Sequence, residues 1–195
     1  MNKKFVLISM VAIIMILAVG FFLIFQESTL QKDESGKLHA KTSSTTISSL
    51  VLDLPEGYAL QDKAPRVKSE LSENSLKLGW IEGYKISFSK SEDTIFSITR
   101  IDQLISKYSL ENITKLIIIP EETEGVTVDE IPIEKIGDES KAFKIIDEND
   151  FAGSGGYYQI QFRKMDILET LTISGTSQNF ELLKELARKA ENKIK

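Results

Sequence analysis

Residues 5–25 form an unbroken apolar run, from Phe5 through Ile13-Ile14-Met15-Ile16 to Phe25, with no charge and Ser9 as its only hydroxyl. As a helix the run would be about 30 Å long, the thickness of a bilayer's hydrocarbon core. Only a helix satisfies its own backbone groups while crossing lipid as a single segment. The expectation is therefore one amino-terminal transmembrane helix, with everything after it on one side of a membrane.

Lys3 and Lys4 precede the run, which is how a secretory signal begins. A cleavage site would need small residues after the apolar core, but Phe21, Phe22, Leu23, Ile24 and Phe25 give way directly to Gln26 and Glu27. The chain has no cysteine, so it has no lipoprotein acylation site. These features predict an uncleaved signal-anchor. Residues 1–4 are then a cytoplasmic tail, because basic flanks stay inside. Lys32, Lys37 and Lys41 lie on the other flank, but the nearer residues 26–31 carry no Lys or Arg. A long domain is translocated largely regardless of charge. The predicted location is the cell membrane, single-pass, with the carboxy-terminal domain outside the cytoplasm.

The net charge of −5 leaves no basic footprint for nucleic acid. Without cysteine there are no disulfides, thiolate metal sites or Cys nucleophiles. The single histidine, His39, falls in residues 26–46, a polar stretch with too little apolar surface to offset its ordering entropy. That stretch is expected to be a flexible linker, and residues 47–195 an extracytoplasmic domain.

Within the domain, Leu50, Leu52 and Leu54 alternate with Val51 and Asp53, as on a half-buried strand. Leu76, Leu78 and Trp80 alternate, Gly83 interrupts, and Tyr84, Ile86 and Phe88 alternate again. With residues 94–101 this predicts an antiparallel meander. Leu110, Ile113 and Ile117 change to a helical period, with Ser109 as a candidate cap. Residues 121–130 read as an acidic loop, and residues 142–146 as a strand. Tyr158, Ile160 and Phe162 alternate, and a turn at Met165-Asp166 sets Ile160 opposite Leu171 and Tyr158 opposite Ile173. After Gly175 the chain breaks. Asn179 then caps a helix whose stripe is Phe180, Leu183, Leu186, Ala187, Ala190 and Ile194.

Gly137-Asp138-x-Ser140, the Phe162-Arg163 pair, the hairpin and the closing Leu186-Ala187-x-Lys189 together resemble prokaryotic surface-anchored domains with a PsbP-like α/β sandwich. The resemblance is carried mainly by residues 131–195. Met165 and Asp166 stand where that group often has Gly and Asn at the hairpin. The resemblance implies an α+β fold: a mostly antiparallel sheet with helices packed on its faces. It implies no particular activity.

The chemistry readable in the chain is sparse. Gly153-Ser154-Gly155-Gly156 precedes a strand, whereas a phosphate cradle needs a helix amino terminus behind it. Asp147 and Asn149 have calcium-loop spacing, but Phe151 takes the third place. No catalytic set forms around His39, and no cofactor or metal is implied. Trp80, Tyr157 and Arg163 are the candidate ligand or partner contacts. The reading is a membrane-anchored binding or accessory module facing an extracytoplasmic protein partner or a small ligand, and not an enzyme. The alternatives are a surface-substrate hydrolase working through carboxylates and a structural assembly factor beside a membrane complex. An uncleaved anchor predicts that the membrane-extracted protein has the intact mass of the full chain. A mature form beginning anywhere in residues 26–46 would overturn it.

Overall fold

The computed structural model describes residues 30–32, 38–40 and 42–195, except 54, 92–96, 113, 114, 116, 118, 121 and 149–155. The apolar run 5–25 lies outside the described residues. Among those described, no helix is long and apolar enough to cross a membrane. The chain divides into two compact units, Met1–Lys41 and Thr42–Lys195. In the first, β1 (Leu30–Lys32) pairs antiparallel with β2 (Leu38–Ala40), inside the stretch read from sequence as a linker.

The second unit is one seven-stranded antiparallel sheet with few helices, an α+β fold. Its strands are β3 (Ala59–Pro65), β4 (Trp80–Ser91), β5 (Ile98–Tyr108), β6 (Val126–Ile131), β7 (Glu139–Asp147), β8 (Tyr157–Lys164) and β9 (Ile167–Gly175). They lie in the order β3-β4-β5-β9-β8-β7-β6. Two meanders are thus joined where β9 pairs with β5, from Thr99–Gly175 to Lys107–Ile167. A short helix, α1 (Glu73–Lys77), precedes β4, and α2 (Phe180–Lys193) follows β9.

Register assigns each side chain to a face. One face carries Ile86, Phe88, Ile101, Ile105, Ile160, Phe162, Leu171 and Ile173, all buried. Helix α2 closes this face with Leu183, Leu186, Ala187 and Ala190. Asn179 caps it, its side chain accepting from Leu182 N at 3.0 Å. Tyr158 meets Phe180 with ring centroids 5.2 Å apart. Glu185 and Lys189 form an i,i+4 pair at 2.7 Å. The hairpin register is the one expected, with Ile160 opposite Leu171 and Tyr158 opposite Ile173.

Other expectations fail for identifiable reasons. Residues 47–53 are a 3₁₀ turn (Ile47–Ser49) followed by an irregular strap, although Leu50 and Leu52 are buried as their alternation implied. The strap's backbone is satisfied by side chains and not by a strand: Leu52 N donates to Gln103 Oε1 at 3.0 Å, and Lys193 Nζ donates to Val51 O at 2.7 Å. The alternation of Leu76 with Leu78 and Trp80 is accidental. Ser72 caps α1 there by accepting from Ser75 N, and Leu76 is exposed. The meander's third strand starts at Ile98 and runs on to Tyr108. Beyond it a turn occupies residues 110–111, and no α-helix forms among the described residues up to 125, where Ile113 itself is not described. The acidic stretch contains β6, an edge strand whose exposed Thr127, Asp129 and Glu130 hid it. Where Gly83 interrupts the alternation, a register shift lies just before it, between Trp80 and Glu82; a Cβ at Gly83 would stand 2.6 Å from Ile105 O.

A 14-residue helix is marginal alone in water, so burial of this stripe must hold α2 in place. Leu183→Ala should cost about 2–5 kcal/mol, the range for emptying a buried Leu site. Lys184, paired with exposed Glu181 at 2.7 Å, should cost under about 1 kcal/mol when truncated. Equal denaturant midpoints for the two variants would mean that α2 is not docked through this stripe.

Candidate functional site: the polar face of the sheet

The sheet's second face has a different chemistry. Reading across β4, β5, β9 and β8, one row is Ser89, Arg100, Ser174 and Tyr157, and the next is Ser87, Asp102, Thr172 and Gln159. A third is Lys85, Leu104, Thr170 and Gln161. Hydroxyl, amide and charged groups therefore pave four adjacent strands whose other side is apolar core. Asp102, Tyr157, Gln159, Thr170, Thr172 and Ser174 are all half-buried, within reach of a ligand as well as of water.

Part of this surface is already organised. Arg100 Nε donates to Asp102 Oδ1 at 2.9 Å, and its Nη2 donates to Ser87 Oγ at 3.1 Å. Ser87 Oγ donates in turn to Asp102 Oδ1. The three side chains form a ring that fixes the guanidinium against the sheet. Lys85 pairs with Glu70 at 2.9 Å, and that hydrogen bond leads the causes holding the Glu70 carboxyl below its ordinary range. Burial, and secondarily the charge of Asp147, raises the Tyr157 phenol. Tyr157 thus keeps its O–H as a donor across the physiological range.

On β7 the same rows continue into Phe143 and Ile145, which are buried. The floor therefore changes from half-open and polar to covered and apolar between β8 and β7. Residues 109–125 carry the chain from β5, third in the sheet, to β6, seventh.

Trp80, Tyr157 and Arg163 all map to this face, but the structure does not bring them together. Tyr157 shares a row with Arg100, whereas Trp80 pairs with Tyr108. Eight residues along β5 separate those rows by about 27 Å. Trp80 is half-buried, and its Nε1 is enclosed without a partner among the described residues. Arg163 is buried and engaged internally. Its Nη1 donates to Asp138 Oδ2 at 3.1 Å, and Met165 N donates to the same oxygen at 2.7 Å. Gly137 has φ +64, and a Cβ there would stand 2.4 Å from Arg163 O. Ser140 Oγ accepts from Ile136 N at 2.9 Å. The Gly137-Asp138-x-Ser140 and Phe162-Arg163 segments thus meet as one brace. It holds Met165 at φ 56, a left-handed conformation unusual for a residue with a side chain.

Sequence reasoning missed Arg100, Asp102, Gln159 and Thr172. The usable signal was the second-residue spacing of Ser87 with Ser89, Thr170 with Thr172 and Ser174, and Gln159 with Gln161. Two grooves of about 770 and 620 Å³ flank α2 on the other side of the sheet, lined respectively by Ile133, Leu182 and Arg188 and by Leu52, Tyr58 and Lys193. The pairs Arg188–Glu134 and Lys193–Asp53 sit at their mouths, so their charges are mutually engaged. Among the described residues no three acidic or histidine side chains converge as a metal site would require.

Asp138→Ala should cost about 3–5 kcal/mol, because it leaves the Arg163 charge buried without its main partner. A urea midpoint close to that of the wild type would show that the brace is not needed for folding. No protein-family model matches the chain, and neither the curated proteins nor the solved structures give a match.

Proposed function

We propose that this chain is a membrane-anchored extracytoplasmic binding or accessory module, tethered through residues 5–25 and presenting its α+β domain to a protein partner or small ligand. One observation carries the reading: a sheet whose one face is sealed by α2 and whose other face is a half-open floor of hydroxyls, amides and the Arg100–Asp102–Ser87 ring. A face retained only for packing would be apolar or fully solvated. Groups placed as these are can exchange water for a polar surface at little cost. A PsbP-like sandwich is part of the proposal. The antiparallel sheet and the helix packed on one face support it, as do the Gly137-Asp138-x-Ser140 and Phe162-Arg163 segments. The role is non-enzymatic. The half-buried carboxylate on the floor, Asp102, accepts from both Arg100 and Ser87, which engages it as a structural tie of the floor.

The test is capture of partners by the full-length protein extracted from its native membrane, compared with the triple variant Gln159→Ala, Thr172→Ala and Ser174→Ala. The expected result is at least a tenfold loss of the specifically retained partner or ligand, with the cooperative unfolding transition preserved. Unchanged retention by the triple variant would remove the polar face as the binding surface.

A further inference from the structure

On the apolar face one acid stands where its neighbours are hydrocarbon. Glu169 lies between Ile105 and Phe162 in register and is fully buried. Its Oε2 accepts from Gln103 Nε2 at 2.7 Å, while Oε1 is enclosed without a partner among the described residues. The same Gln103 amide holds the strap: Nε2 also donates to Leu50 O at 3.2 Å, and Oε1 accepts from Leu52 N at 3.0 Å. A second tie comes from α2, where Lys193 Nζ reaches Val51 O at 2.7 Å and Asp53 at 3.2 Å. One side-chain amide thus bonds both the strap and the buried acid, and the cation whose charge acts on that acid is also bonded to the strap.

We propose that residues 47–53 are a pH-sensitive latch, closed while Glu169 is neutral and loosened when Glu169 ionises. Ionisation would bury a charge that no other cation among the described residues is placed to neutralise. From β8, Lys164 is engaged with Glu191 at 3.7 Å; from β5, Lys107 is engaged with Asp166 at 3.7 Å; Asp53 on the strap is itself an acid. Lys193 could answer the charge only by leaving Val51 and Asp53, and water could enter only by lifting Leu50 and Leu52. Either response releases the strap.

The direction follows from linkage. Burial raises the Glu169 carboxyl from 4.5 to about 8, against the opposing effects of the Gln103 hydrogen bond and the Lys193 charge. A closed latch keeps the proton between those values, and an open, hydrated one loses it. Opening is therefore favoured by up to about tenfold per pH unit across that window, and no further above it.

Hydrogen exchange by mass spectrometry on the full-length chain in lipid nanodiscs tests this from pH 5 to 9, with rates corrected for intrinsic pH dependence. Strap amides should be less protected than those of β8 and β9. Their protection should fall by up to about a hundredfold between pH 6 and 8, then level off. In Glu169→Gln, or in Glu169→Leu if the amide variant does not fold, the strap's protection should be flat with pH. A flat wild-type profile would overturn the latch, because the strap would then open without hydrating Glu169. So would strap protection equal to that of β8 and β9 at every pH, which would mean opening only by global unfolding. The same slope persisting in the Glu169 variants would assign the effect to another group.

Discussion

The pairing of β5 with β9 turns two meanders into one domain. Strands β3 to β5 could fold locally, and so could β6 to β9. A three- or four-stranded ribbon with one apolar face, however, leaves that face half-covered. The seam runs without a register shift from Thr99–Gly175 to Lys107–Ile167. It brings Ile101 beside Ile173 and Ile105 beside Glu169, in the middle of the surface that α2 and the strap then close. Its residues are far apart in sequence, so loop closure must precede any gain from them. What rewards that closure is a continuous apolar face wide enough for α2.

The closing layer consists of one regular piece and one irregular piece. Helix α2 satisfies its own backbone, and so it can rest on the sheet through hydrocarbon alone. The strap cannot, because an irregular backbone over a core must find partners for its N–H and C=O groups. Gln103 and Lys193 supply them, which is why a polar amide sits in a row with Ile86, Leu171 and Ile160. Glu169 occupies the remaining hydrogen of that amide at the cost of an orphan oxygen.

The legible parts of the sequence were those whose signal is local. The β8–β9 hairpin could be registered because both strands alternate and the turn between them is two residues long. Helix α2 could be bounded because Asn179, the stripe and Gly175 agree with one another. The strap, α1 and β6 were misread because each departs from the rule that period reports structure. The strap's alternation reports burial without a strand partner. The alternation at Leu76 reports nothing, since that side chain faces solvent. β6 is an edge strand, which tolerates the polar and acidic residues that mark a loop. The site was harder still. Asp138 and Arg163 are 25 residues apart, and only the fold shows that the arginine is buried and bonded to Asp138. The polar floor is a pattern across four strands, invisible until their registers are known.

The two faces of the sheet depend on each other in one direction. Because β-strand side chains alternate, every residue that extends the polar floor fixes its neighbour's place in the core: Asp102 lies between Ile101 and Gln103, and Thr170 between Glu169 and Leu171. A change that shifts β9 against β5 by one residue would exchange the two faces over its whole length. The Asp138–Arg163 brace and the left-handed Met165 stand at the end of β8 where such a slip would begin, and Asp166, the next residue, accepts from Ser43 N at 2.7 Å. The turn is therefore pinned from both sides by side chains, and less depends on its own backbone preference. That accounts for Met165 being tolerated at a left-handed position that would suit Gly better. The fold holds the register from outside the turn, and with it both the apolar core and the polar face.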